Sequence, residues 1–400
     1  MSVFISPRTQ YDEVGRDIAA ALTTEEALDT RMAGTLEHAK GHLTMTRLWT
    51  RSTWKDHRSQ WRWVRYMKGW PRSSILKAIR LPMLAFLAIA TAVLAINRTI
   101  SYFFEHPLPW LRLPQTPLAL QASSIGLILV FRTNQTHDRL REAQKVMAKL
   151  TAIEREVIQM LIVHVPPERA HSICLVARLL AIFGWALKMQ LQSDTHRLRP
   201  IAKALLPAAE VDWILEQAVP TSAIIFRLRS VVGSLYQHGD LDKEAFKFVE
   251  DDLAKFGEIC STCDRLTTFP IPPSYHRHGS RAIILWICAL PFALEGKGHT
   301  SLETLVTVFI TGFVILGLDA IAIEIEQPFD VLPLHEFAVG MSKDVAAVLE
   351  NWCSMPPLEA VVGCDRSRGD ADSGEVSAKT VGEEQELRQR GAVAVGADRK

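Results

Sequence analysis

Two cysteines and two histidines lie close enough together in the chain to suggest a metal or redox site. Cys260 and Cys263 form a C-x-x-C pair, and His276 and His278 follow it. The histidines of a zinc finger are separated by about three to five residues, whereas one residue separates these two, and the sequence has no second C-x-x-C pair. The spacing therefore favours two cysteines on a helix face over zinc or redox chemistry. We predict neither a metal site nor a catalytic group.

Three acidic residues end an apolar stretch, DAIAIEIEQPFD. They are Asp319, Glu324 and Glu326. Such acids either pair with arginines where a helix leaves a membrane, or line a water-filled path for ions. The sequence has no G-x-x-x-x-G-K, G-x-S-x-G or H-E-x-x-H motif. None of these patterns predicts a catalytic site.

Uncharged apolar runs occur in two closely linked pairs. Each is shorter than the roughly 20 residues of a full span, so core helices of a soluble enzyme or binding module are one interpretation. Charged and aromatic clusters flank the runs, which favours membrane helices with amphipathic ends. We therefore predict four transmembrane helices, around 81–96, 117–131, 282–294 and 304–318.

A basic, tryptophan-rich segment precedes the first apolar run. Between Arg47 and Arg80 it has ten Lys and Arg residues against one acid, Asp56. Aromatic and basic residues together are typical either of single-stranded nucleic-acid binding or of a membrane interface. The apolar run that follows favours the interface, so we predict a lipid bilayer and not a nucleic acid as partner. Basic flanks also place this side of the membrane in the cytoplasm or its equivalent.

The rest of the chain has helical periodicity, so the predicted fold class is all-α. A capping box at Thr23 and Glu26 predicts a helix to about His42, and further helices are expected near 138–163, 168–192, 210–236 and 241–268. The near balance of 45 basic and 44 acidic residues favours no charged partner. The predicted segments are 1–46 (polar), 47–80 (basic, interfacial), 81–136 (first two spans), 137–278 (soluble helical domain), 279–330 (last two spans), 331–365 (C-terminal wrap) and 366–400 (disordered tail).

Three stretches in this order resemble the bestrophin family of ion channels. They are LVFRTNQTHDR, FPIPPSYHRHGSRAIILWICALPFAL and LDAIAIEIEQPFDVLPL. The likeness extends over roughly residues 47–350 and is strongest to the plant and algal plastid branch. The family-motif residues are Arg132, Asn134, Asp138, Arg139, Glu324, Glu326, Pro328 and Phe329.

The resemblance implies a homopentamer in which the second span of each copy lines an axial pore. The apolar neck of the family maps to Ser123, Leu127 and Phe131, spaced i, i+4 and i+8 on one helix face. Ser123 departs from the apolar pattern, which implies a wetter membrane end. Packing of Leu127 and Phe131 between helices is the alternative.

A second constriction of the family maps to the turn HGDLDKEAF, where either Glu244 or Ala245 is expected near the axis. A glutamate ring would oppose anion flow. Pairing with Lys243 or Lys247, or an aperture wide enough for salt to screen the charges, would relieve this conflict. The acidic run that binds calcium in animal members is missing after Phe329, so calcium activation is not expected.

The resemblance implies a passive, anion-selective channel for chloride, with bicarbonate as a second ion, that is not an enzyme and needs no cofactor. The alternative is a non-conducting membrane scaffold or regulatory protein with the same fold. The expected location is a chloroplast thylakoid or other plastid membrane, with the plasma membrane as the alternative. Residues 1–20 make a poor transit peptide because acids appear early.

Overall fold

In a computed structural model of the chain, residues 6–39, 49–70, 73–104, 113–192, 198–295 and 300–356 are described, and they form helices without strands. This agrees with the all-α prediction. Residues 1–348 form one unit and 349–400 a second. The predicted tail at 366–400 lies outside the described residues. The helices are α1 (Pro7–Ala39), α2 (Arg51–Arg58), α3 (Arg62–Gly69), α4 (Ser74–Phe104), α5 (Gln115–His164), α6 (Ala170–Gln192), α7 (Leu198–Leu205), α8 (Ala208–Glu216), α9 (Pro220–Gln237), α10 (Lys243–Thr268), α11 (Pro273–Glu295), α12 (Ser301–Glu326), α13 (Pro328–Val331) and α14 (Leu334–Ser354).

Helix α5 runs without a break from the apolar stretch into the polar one. It has 50 residues, which corresponds to about 75 Å at the helical rise. It begins directly after Pro114 and ends before Val165 and Pro166, which adopt extended backbone angles. The separate helix expected at 138–163 is thus the second half of this element. One continuous helix therefore connects the membrane helices to the helical domain.

Helices α4, α5, α11 and α12 pack together through an apolar core. The core residues are Phe86, Ala90, Ile125, Leu129, Ile283, Ile287, Leu290 and Val308. Helix α4 lies close against α12 because Gly312 lets Met83 approach, so that an added Cβ would be 3.2 Å from its methyl group. Helix α11 is fixed beside the start of α5 by a 2.9 Å hydrogen bond from the Trp286 indole to the Leu118 carbonyl.

Within the described residues, four helices are long and apolar enough to span a membrane, and all but the third contain a predicted span. They are Ile75–Ile100, Gln115–His164, Pro167–Gln192 and Ser301–Glu326. In the third, 78% of the apolar window is buried inside the protein, against 17–33% in the other three. We therefore assign α6 to the core of the helical domain. The predicted span at 282–294 lies in α11, whose polar start, PSYHRHGSR, shortens its apolar part. Its packing against α4, α5 and α12 still assigns it to the membrane layer.

The helical domain surrounds α6, whose side chains are mostly buried. Phe183 meets Phe256 of α10 edge to face, with ring centroids 4.9 Å apart. Gly184 permits close contact with α14, because an added Cβ would lie 3.1 Å from the Ala338 Cα atom.

Helix α1 also packs on α6, and the Arg178 guanidinium donates a 2.9 Å hydrogen bond to the Asp17 carboxylate. It begins at Pro7, so the predicted start at Thr23 is wrong. The Thr23 hydroxyl donates to the Ala19 carbonyl inside the helix instead of capping one.

Candidate ion pathway

One face of α5 remains uncovered in the protomer. Leu127 and Phe131 are 56% and 54% exposed, and Ser123 is exposed one turn before them. On the opposite face, Ile125 and Leu129 are buried in the membrane core. Because both faces lie on the same helix, packing directs the predicted neck residues away from the protomer. Within one protomer Leu127 and Phe131 are therefore not packed between helices, and packing against helices of another copy stays the alternative to a neck.

An apolar groove of about 410 Å³ lies beside this exposed face. Gly126 keeps it open, since a Cβ built there would meet nothing within 4 Å. Asn134, one of the family-motif residues, is exposed at its polar end. The lining residues are Ala122, Ile125, Gly126, Leu129, Val130, Thr133, Asn134, Trp286, Ile315 and Leu318.

A buried ion pair joins α5 to α12 one residue after Phe131. Arg132, 3% exposed, donates to the Asp319 carboxylate, whose side chain is 15% exposed. A buried charge without a partner costs several kcal/mol, so each group requires the other. This contact matches the interpretation of Asp319 as an arginine partner and not as the lining of an ion path.

Arg139 binds the C-terminal ends of two helices, two turns beyond Arg132. Its guanidinium donates to the carbonyls of Leu266 and Phe269 at the end of α10, and to the carbonyl of Glu326 at the end of α12, over distances of 2.5–3.0 Å. A cation is favourable there because the last carbonyls lack helical partners and carry partial negative charge. Arg139 therefore fixes the junction between the membrane layer and the helical domain.

Glu326 completes this junction with its side chain. Its Oε1 atom accepts from the Ile271 amide at 3.2 Å and lies 3.1 Å from His276 Nε2. Glu324 is partly buried nearby in sequence. Asp138, by contrast, forms an exposed pair with Arg141 at 3.4 Å, which contributes little. Of the three acids, Glu326 thus acts at the junction and Asp319 in the ion pair with Arg132.

The turn before α10 distinguishes the two candidates for the second constriction. Asp242 caps the helix by accepting from the Ala245 amide at 3.1 Å, and Ala245 is 3% exposed. Glu244 is exposed in the first turn. Ala245 is therefore unavailable to line an aperture.

The predicted pairing of Glu244 with Lys243 or Lys247 is absent from the described residues. The ion pairs of α10 instead include Arg229–Glu250 at 3.2 Å and Lys255–Asp252 at 2.6 Å. The carboxylate of Glu244 is thus available to a mobile ion or a neighbouring subunit.

The turn after α12 buries its aromatic residue. Pro328 and Phe329 are buried, and the Gln192 amide donates to the Phe329 carbonyl at 2.9 Å. Asp330 is exposed and is followed by Val331 and Leu332. Among the described residues, no cluster of three or more His, Cys, Asp or Glu could hold a metal ion.

The cysteine pair lies in the interior of the helical domain. Burial raises the pKa of Cys260 to about 11 and that of Cys263 to about 12. Both are therefore neutral thiols at pH 7, unsuited to redox exchange, which requires thiolate. They occupy one side of α10, as the helix-face interpretation expects.

Comparisons with known proteins agree with this arrangement. Residues 53–347 match the family model described as Bacterial/Fungal Bestrophin protein. The chain belongs to the bestrophin family. The match includes the four membrane-layer helices and the helical domain of this bestrophin, but not α1. It also establishes the protein as an integral membrane protein of a channel family and not an enzyme.

Curated relatives of this bestrophin come from plants and bacteria. Voltage-dependent chloride channel 1, chloroplastic, of Arabidopsis thaliana is 27% identical over 293 residues, covering 72% of this chain and 70% of the relative. Voltage-dependent anion channel-forming protein sll1024 of Synechocystis is 26% identical over 306 residues, covering 75% and 94%. A crystal structure of a variant bacterial Bestrophin homolog from Klebsiella pneumoniae has 25% identity and a TM-score of 0.62, covering 69% of this chain and 98% of that one.

Sequence reasoning missed several residues that hold the pathway in place. Arg139 was predicted as part of a motif, but its three carbonyl partners come from segments more than a hundred residues away. His276 was considered as a zinc ligand, whereas it contacts Glu326. The charged residues of FRTNQTHDR indicate that the helix leaves the apolar layer there, but they do not show which distant residues Arg139 contacts.

Proposed function

We propose that this bestrophin is a passive, anion-selective channel whose pore is lined by α5 of several copies. The observation that carries the proposal is the exposed stripe of Ser123, Leu127 and Phe131 on the face of α5 opposite its packed core. The anion preference is supported by relatives that are named chloride or anion channels. Chloride is the expected ion, with bicarbonate as a second small anion.

The neck would conduct only when it is hydrated. Rings of Leu127 and Phe131 present apolar surface to the axis, and a narrow apolar ring excludes water and therefore ions. Ser123 supplies a hydroxyl at the membrane end, where water can remain. We therefore place the gate at Leu127 and Phe131, with Ser123 as its wet entrance.

We further propose that the assembly is a homopentamer. The 410 Å³ groove and the exposed side chains of Leu127 and Val130 present contiguous apolar surface within one protomer. A second copy of α5 would cover the groove and bring the stripes together around an axis. The bestrophin family supplies the expected number of copies, five.

Glu244 is our candidate for the aqueous exit, because Ala245 is buried. A ring of carboxylates favours cations when it is narrow and poorly screened. An anion channel with this residue therefore needs an exit wide enough for salt to screen the ring.

We propose a plastid membrane, such as the thylakoid, as the location. Two chloroplastic relatives from Arabidopsis support it. Relatives from Synechocystis and Escherichia coli make a bacterial plasma membrane the alternative. Immunogold labelling of the source cells, with a plastid marker where plastids exist, distinguishes the two.

The decisive experiment is reconstitution of the purified full chain in a planar bilayer with asymmetric potassium chloride. We expect the current to reverse near the equilibrium potential of chloride. If bicarbonate also permeates, the reversal potential should shift accordingly when bicarbonate replaces chloride. A silent protein that is folded and oligomeric would instead support the scaffold alternative. A current that reverses at the equilibrium potential of potassium would contradict anion selectivity.

A further inference from the structure

A pocket of about 520 Å³ lies outside the ion pathway, between the basic segment and the helical domain. Helix α2 forms one wall, α5 a second, and the segment from Leu332 into α14 the third. The walls are apolar apart from one histidine and one glutamine. The lining residues are Trp49, Trp54, His57, Gln144, Met147, Ala148, Leu332, Pro333, Leu334 and Phe337.

Three rings form the wall contributed by α2. Trp49 and Trp54 meet edge to face with centroids 4.7 Å apart, and His57 lies 5.1 Å from Trp49. Both tryptophans remain more than 40% exposed. Helix α2 buries none of its residues, so these rings enclose the pocket without belonging to the protein core.

The two polar groups are placed to orient a ligand. His57 Nδ1 lies 3.0 Å from the Tyr66 hydroxyl, which leaves Nε2 without a hydrogen-bond partner among the described residues. The Gln144 amide likewise has no hydrogen bond in that part of the chain, and its side chain is exposed. Apolar walls with a few convergent polar groups are typical of small-molecule sites.

The charge around the pocket favours an anion. Helix α2 has three basic residues, Arg51, Lys55 and Arg58, against one acid, Asp56. The Arg58 guanidinium lies 5.9 Å from the Trp54 ring centre, so a cation lies next to one of the lining rings. A ligand with an apolar body and a negative end therefore complements both features.

The position along α5 places the pocket just outside the membrane layer. Arg139 contacts the end of α12, and Met147 lies eight residues further, about 12 Å at the helical rise. A two-chain lipid anchored in the bilayer would have to leave it to fill the pocket. A free single-chain molecule can enter from the aqueous side.

We propose that this pocket binds a single-chain anionic amphiphile, such as a fatty acid, with its chain against Met147, Leu334 and Phe337 and its carboxylate near His57 and Arg58. A bound molecule would tie α2 to α5 and α14. Binding does not require conduction, so this proposal is independent of the proposed function.

The test uses the purified full chain in nanodiscs and a photoreactive palmitate analogue. Peptide mapping should place the cross-links on α2, around Gln144–Ala148 and on Leu332–Phe337, and free palmitate should compete. Trp54→Ala should weaken labelling about tenfold, the loss expected for one well-packed aromatic contact. Trp61→Ala, which removes a 76% exposed tryptophan outside the pocket, is the matched control and should change labelling less than about twofold.

A second variant checks the pocket from its opposite wall. Ala148→Trp fills the cavity from an exposed position on α5, so it should abolish competition by palmitate without loss of folding. The proposal is overturned if cross-links fall only on α4 and α12, if both tryptophan variants lose labelling equally, or if Ala148→Trp binds normally. Competition by phosphatidylglycerol instead of palmitate would overturn the single-chain assignment. Labelling that occurs in monomers but not in oligomers would overturn the proposal for the assembled protein, because a second copy would then cover the pocket.

Discussion

Leu127 and Phe131 are the side chains on which the proposed gate depends. Both are more than half exposed, so their truncation removes little packing within the protomer. Leu127→Ala/Phe131→Ala should raise single-channel conductance at least about twofold or leave the channel constitutively open, because a wider ring stays hydrated. Single-channel recording in planar bilayers measures this.

The control for the neck is Leu285→Ala, which shortens an apolar side chain on α11 that is 71% exposed. It should leave conductance unchanged. If the double variant behaves like this control, Leu127 and Phe131 do not form the gate.

Glu244 is the residue that we expect to oppose anions at the proposed exit. It is exposed at the start of α10, and among the described residues it has no ion pair. Glu244→Gln should increase chloride-over-sodium permeability about twofold at low salt and less at physiological salt, where screening acts over about 8 Å. Reversal potentials at two ionic strengths measure the change. A switch from cation to anion preference would identify Glu244 as the filter and contradict the anion assignment for the native protein.

At the scale of elements, the contact between α6 and α14 depends on Gly184. An added Cβ would lie 3.0 Å from Met341 Sδ and 3.1 Å from the Ala338 Cα atom, which belongs to the backbone. Gly184→Ala should therefore destabilise the protein by about 1–2 kcal/mol despite the higher helix propensity of alanine. Thermal unfolding in detergent should show a transition lower by a few degrees.

Gly233→Ala provides the matched control on α9, because a Cβ there would meet nothing within 4 Å. Alanine should be neutral or stabilising by up to about 1 kcal/mol at this site. Equal effects of the two substitutions would contradict a tight α6–α14 contact.

The residues in the turn from α12 to α14 indicate that calcium has little effect on channel opening. A calcium site needs about six to eight oxygen ligands, whereas Asp330 is followed by Val331 and Leu332, and Glu336 is the next acid. Micromolar calcium should change the open probability less than about twofold relative to a chelator. A steep, reversible calcium dependence of the purified protein would show that other residues supply the ligands.

At the scale of the whole molecule, the proposed pore would require several protomers. A single chain has 44.8 kDa, and native mass spectrometry should give a particle of about five times this mass. Gly126→Leu places a side chain into open space within the protomer, so it should clash only with a neighbouring copy and reduce the fraction of pentamer.

The matched substitution for assembly is Gly15→Leu on α1, which also points into open space but lies outside the family match. It should leave the mass unchanged. An unchanged pentamer in Gly126→Leu would show that the groove is not the contact between copies.

The sequence by itself determined the features that depend on local order. These features are the apolar runs, the polar second half of α5, the glycine break at Gly239 and the order of the family motifs. Each can be read from consecutive residues, and together they were sufficient to predict the helical class and the family. Gly239 has a positive φ of 76°, which its lack of a Cβ permits at the end of α9.

Only the tertiary structure decided which side of each helix is covered and which distant groups meet. Helices α6 and α11 are both apolar, and their neighbours, not their composition, place one in the domain core and the other in the membrane layer. Glu244 and Ala245 are adjacent, yet packing buries one and exposes the other. The carbonyls that Arg139 binds are set by how α10 and α12 end against α5, because burial and pairing depend on contacts between segments far apart in the chain.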